Sequence, residues 1–145
     1  MKKLLLLLLI GMFAGGAATA QCDKKIIWTA SKAEFVDDSG HVEDTKDIGV
    51  TVHTSGKWVL IIHNDDPTDS LSGPVKDIEC NWKEPVVNGK MTIHADLSER
   101  NNQSMKSSLV IEAKDSKTIM LVTFQRDDGT SKHVRLVIDS YKEEK

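Results

Sequence analysis

From residue 26 onward the chain is a succession of short runs of β-branched side chains, each ended within a few residues by Gly, Asn, Asp or Ser. That pattern gives a helix little to build on. Val and Ile lose rotamer freedom in a helix but fit a pleated surface, and residues 21–145 hold 12 Val and 10 Ile against 6 Leu and 4 Ala. Residues 48–54 alternate apolar and polar, the period of a half-buried strand. After Ser55-Gly56 a second run, 57–63, begins at once, and two such runs across a short Gly-containing loop read as a hairpin. This second run is apolar on both faces, so it is expected to be central, with Trp58, Leu60 and Ile62 inward.

The same reading continues along the chain. Asn88-Gly89 is expected to turn Pro85-Val86-Val87 into a strand over 91–97. Lys114-Asp115-Ser116-Lys117 separates 109–113 from 119–124, and Asp127-Asp128-Gly129 leads into 132–138. Residues 26–30 and 33–36 form one long strand or two short ones, with Ser31-Lys32 as a bulge. Segments 37–47, 64–74 and 96–105 read as polar loops, and 142–145 as a charged tail. The expectation is an all-β fold of about eight antiparallel strands, either a small up-and-down barrel, which the successive hairpins favour, or a two-sheet β-sandwich. The remaining inward positions by alternation are Met91, Ile93, Leu109, Ile111, Ile119, Leu121, Val134, Leu136 and Ile138.

Residues 1–20 follow a different logic. A basic start, an apolar stretch from Leu4 to Ile10 and small residues ending Ala18-Thr19-Ala20 are the parts of a secretory signal peptide. Cleavage is expected between Ala20 and Gln21, leaving a single β-rich domain over 21–145. The apolar stretch is far short of the roughly 20 residues a spanning helix needs, and no later segment reaches that length. Lipid attachment to Cys22 is the alternative; it wants Gly, Ala or Ser before the cysteine, where Gln21 stands. Export, periplasmic or extracellular, makes the two cysteines Cys22 and Cys80 a disulfide pair.

Ile27-Trp28-Thr29-Ala30-Ser31-Lys32-Ala33-Glu34-Phe35, the Asp38-Ser39-Gly40 turn and Ser55-Gly56-Lys57-Trp58 resemble the start of small bacterial lipocalin-like proteins. These carry a Trp on the first strand at the barrel floor. Ile26 stands where that family usually has Gly. The chain is also similar to small exported bacterial β-proteins without an assigned activity. The resemblance implies a lipocalin-like barrel with an interior either filled by side chains or holding one small ligand.

Little in the sequence speaks for chemistry. Ser, His and Asp are present, but there is no Gly-x-Ser-x-Gly elbow, phosphate loop or suitable Cys nucleophile. The five histidines are neither in a His-Glu-x-x-His pattern nor two apart, and the acidic run from Asp65 has Ser70 where a calcium loop needs Gly. No catalytic residue, cofactor or metal ligand is therefore assigned. With 17 basic and 22 acidic side chains, residues 21–145 lack the clustered positive face that nucleic acid demands. The expected role is non-catalytic binding of an apolar or amphipathic ligand, a glycan or a protein partner. Trp82, between Asn81 and Lys83, and Trp28 are the candidate contact residues.

Protein produced with its leader should be recovered outside the cytoplasm beginning at Gln21. Intact-mass measurement checks this, and a diacylglyceryl adduct on Cys22 would establish the lipid-anchored form instead.

Overall fold

The computed structural model describes residues 22–84, 86–100 and 103–145; the leader and the Ala20–Gln21 junction lie outside the described residues. Eleven strands make up the fold: β1 (Lys25–Ala30), β2 (Ala33–Val36), β3 (Val42–Lys46), β4 (Val50–Thr54), β5 (Trp58–His63), β6 (Asp66–Glu84), β7 (Asn88–Leu97), β8 (Met105–Lys114), β9 (Lys117–Gln125), β10 (Ser131–Ile138) and β11 (Ser140–Glu144). All belong to one antiparallel sheet in the order β11-β1-β4-β5-β6-β7-β8-β9-β10-β2-β3. No helix occurs among the described residues, and none is long and apolar enough to cross a membrane.

The expected all-β class is present; the expected eight-stranded closed barrel is not what the ladder forms, since its order has two ends. Interruptions within long strands raise the number. Ser31-Lys32 divides β1 from β2, residues 47–49 divide β3 from β4, and Asp139 divides β10 from β11. Each of these pairs would otherwise be a single strand. The segment 37–47, read as a loop, thus contains β3 paired to β2, and most of the supposed tail is β11 paired to β1.

Segment 64–74 departs most from expectation. Asn64 and Asp65 both adopt positive φ, 50° and 56°, which makes them the two central residues of a tight hairpin turn. The chain then returns as the long strand β6, pairing first with β5 and, from Val75, with β7. Gly73 stands at this change of partners. A Cβ there would collide with the Asp96 carbonyl oxygen, so only Gly lets β6 and β7 approach so closely. The turn between β6 and β7 also lies elsewhere than expected: Asn88-Gly89 is already in β7, and Val86, buried and with φ 63°, belongs to the turn.

Pairing register decides which face is core. On β4, Val50, Val52 and Thr54 point inward, and their partners on β5 are His63, Ile61 and Val59. Opposite residues share a face, so Val59 and Ile61 are buried and Trp58, expected inward, is 51% exposed. Leu60 and Ile62 are half-buried on the outer face with it. The same inversion holds on β9, where Met120 and Val122 are buried and Ile119 is exposed. Alternation correctly placed Met91, Ile93, Leu109, Ile111 and Leu136 in the core.

Trp28 is the largest fully buried side chain. Its indole N–H donates to Thr54 Oγ1 at 2.9 Å, so the one polar atom of the ring is satisfied. Cys22 and Cys80 form the expected disulfide, joining the start of the described chain to β6. Closing a loop of that length stabilises by roughly 4 kcal/mol in the chain-entropy view.

Trp28→Ala should therefore cost roughly 3–5 kcal/mol, as deletion of a large core side chain does, whereas Trp58→Ala should cost less than about 1 kcal/mol, the scale of a surface change. Chemical denaturation of the two variants side by side checks the face assignment.

Candidate functional site

Among the described residues, antiparallel pairing puts the turns Asp37–His41, Asn64–Asp65 and Arg126–Thr130 at one end of the sheet. Each is held by an aspartate next to the bend. Asp37 Oδ1 accepts from the N–H groups of Ser39 (2.9 Å) and His41 (2.8 Å). Asp66 Oδ1 accepts from the hydroxyl (2.7 Å) and N–H (2.9 Å) of Thr68, and Asp128 Oδ1 from those of Thr130 (2.6 and 2.8 Å). Such local side-chain bonds compete with longer strands and fix the bend. They also stabilise the ionised carboxylates. The Thr68 hydroxyl first, then its N–H, holds Asp66 below the ordinary carboxylate value; Thr130 does the same for Asp128, helped by the Arg126 charge.

A cavity of about 290 Å³ opens at this end. Its base is core: Val50, Ile61, Val122 and Leu136 line it and are buried. Higher up, Phe35, Ile48, Met105, Phe124 and Val134 line it and are only half-buried. Charged and polar groups form the lip: His63, Glu99, Arg126 and Lys132. His63 Nδ1 lies 3.2 Å from the Asp69 carboxylate. Lys132 Nζ stands 5.0 Å from the centroid of the Phe35 ring, and Lys46 Nζ 5.2 Å, both within cation–π range. An apolar wall with a few polar groups at one edge, close to the lower limit of about 300 Å³ for small-molecule sites, suits a compact amphipathic molecule.

Neither tryptophan singled out from the sequence lines this cavity. Trp28 is closed off from solvent and tilted against Tyr141 at 5.9 Å between ring centroids. Trp82 is half-buried against the core, its ring lying over Gly89, where a Cβ would come within 2.9 Å of Cε3. The disulfide of Cys22 and Cys80 is at the opposite end of the sheet from the cavity.

Two further groupings were invisible in sequence because cross-strand pairing creates them. An extra residue at Lys76 shifts the β6–β7 register so that Asp77 faces His94, and with Glu79 their donor atoms lie within 4.8 Å of one another, all exposed. On the outer face Thr123 Oγ1 is 2.9 Å from His133 Nδ1, whose Nε2 is 3.0 Å from Asp38. With the proton on Nε2, the imidazole donates to Asp38 and accepts from Thr123, tying the Asp37–His41 turn to the sheet. The cavity's lining residues come from seven strands and from segments between them; alternation could find that some face inward, but not that they converge.

No family model, curated protein or solved structure matches the chain.

Thr68→Val and Thr130→Val should each raise the neighbouring aspartate toward the ordinary carboxylate value, read by carboxyl-carbon NMR titration. Because the folded-state value is depressed, each aspartate's contribution to stability is full above the ordinary value. It is lost as pH falls through the depressed one.

Proposed function

We propose that this is an exported, non-catalytic binding protein whose long strands wind into a small lipocalin-like barrel, closed at the Trp28 end and open at the end that holds the cavity. The register supports the winding. β1 and β2 pair with β11 and β10 in one continuous alignment, from Lys25↔Glu144 to His133↔Val36. Fused across their breaks, the eleven strands become eight hairpin-linked ones. The disulfide is compatible with an oxidising compartment, and so with export of the chain from residue 21.

The cavity carries the functional reading. Phe35, Ile48, Met105, Phe124 and Val134 leave apolar surface half-covered around one concave space, above a base that is packed. Covering that surface yields about 0.8 kcal/mol per methylene transferred from water. The ligand class that gains from this is a small apolar or amphipathic molecule. A carbohydrate would leave its hydroxyls facing a wall with few partners.

Octanol should bind saturably with one-to-one stoichiometry by calorimetry. Val134→Trp, which fills the space from its wall, should weaken binding at least tenfold while retaining a cooperative melt. Absence of saturable binding to the natural chain would end this reading.

A further inference from the structure

The lip of the cavity is asymmetric in charge. Of the lining side chains, Arg126 and Lys132 are cationic and Glu99 is anionic, while His63 is engaged by Asp69. Lys132 makes no ion pair among the described residues, and its ammonium lies over Phe35, a wall residue, instead of beside a carboxylate. Lys46 reaches the same ring from β3. Asp44, opposite Phe35 in the β2–β3 pairing, is exposed and outside the lining. The Phe35 edge of the cavity is thus marked by two ammonium groups that lie over an aromatic face.

We propose that the cavity selects anionic amphiphiles: the apolar part lies between Phe35, Phe124 and Val134, and a carboxylate or similar anion at its end meets Lys132 and Arg126. This rests on the cavity reading and adds a headgroup to it. The physical reason is the exchange at the lip. A neutral ligand gains only apolar burial, whereas an anion also takes the charge-assisted hydrogen bonds of an ammonium and a guanidinium. A cationic headgroup brings like charge to the same edge. The volume, about 290 Å³, suits a short acyl chain or a small ring system rather than a long lipid.

Calorimetric titration of the full exported chain with octanoate, octanol and octyltrimethylammonium tests this. All three have eight-carbon straight chains and differ in charge. Octanoate's eighth carbon is its carboxylate, so any octanoate advantage arises despite one methylene less of apolar tail. At low ionic strength octanoate should bind about 3–10-fold more tightly than octanol, the range of a solvent-exposed ion pair with some added hydrogen bonding, and the ammonium should bind most weakly. The octanoate advantage should shrink at 0.5 M salt, as screening over about 4 Å requires. Lys132→Gln and Arg126→Gln should each narrow the affinity ratio of octanoate to octanol, measured for both ligands on the same variant. Equal affinity for all three, or preference for the ammonium, would overturn the headgroup inference and leave the cavity reading standing. An octanoate advantage untouched in the double variant would overturn the assignment to these two side chains. Failure of every tail to bind would remove the cavity reading itself.

Discussion

The two ends of the described chain hold each other. Residues 25–36 run antiparallel to 133–144 in a register that passes unchanged through the breaks in both, and the break itself is bridged. The Asp139 N–H donates to the Thr29 carbonyl (2.8 Å), and the Asp139 carboxylate accepts from the Ser31 N–H (2.7 Å). Arg135 and Glu34 pair across the same seam. Everything else leans on this contact. It sets β2 and β10 across from β4 and β5, so that Trp28 is covered on all sides and the cavity has its Phe35 and Val134 wall. Its partners are 97 to 119 residues apart, so loop-closure entropy must be met before the contact stabilises anything. Such pairing slows folding of β-proteins relative to local hairpins.

Packing quality differs between the two ends, and that difference separates scaffold from site. At the Trp28 end the core is closely packed and its polar atom satisfied: the indole is hydrogen-bonded, Val86 is buried from its turn, and the disulfide ties the chain start to β6. At the other end the apolar side chains stop short of filling the interior. The turns there are stiffened by Asp37, Asp66 and Asp128 rather than by core contacts. In the proposed binding role, a rim held by these bonds over incomplete packing would keep the lining groups in place before a ligand arrives, lowering the ordering cost of binding.

Part of this was legible residue by residue. β-branched composition and two-residue alternation identified the strands of 48–54, 91–97, 109–113 and 119–124, and the export context paired Cys22 with Cys80. Trp58 shows where alternation alone runs out. On β5 five successive residues are apolar, so period two leaves both faces eligible, and the choice fell to β4, whose Val50, Val52 and Thr54 face inward and draw Val59 and Ile61 with them. The segment after His63 fails for another reason. Its polar residues read as loop, yet Asn64-Asp65 makes a tight turn and the strand that follows keeps its hydrogen bonds while facing water.

Local chemistry alone, then, determined the class of structure, most of the turns and the covalent link, because these depend on rotamer freedom, φ preference and thiol oxidation within a few residues or a single pair. Which face of β5 and β9 is core, where the long strands break and which side chains converge on the cavity were decided only by the tertiary structure. These depend on register between strands that are distant in sequence. A one-residue shift in the pairing of β5 or of β2 would replace Val59 by Trp58, or Phe35 by Glu34, on the inner face.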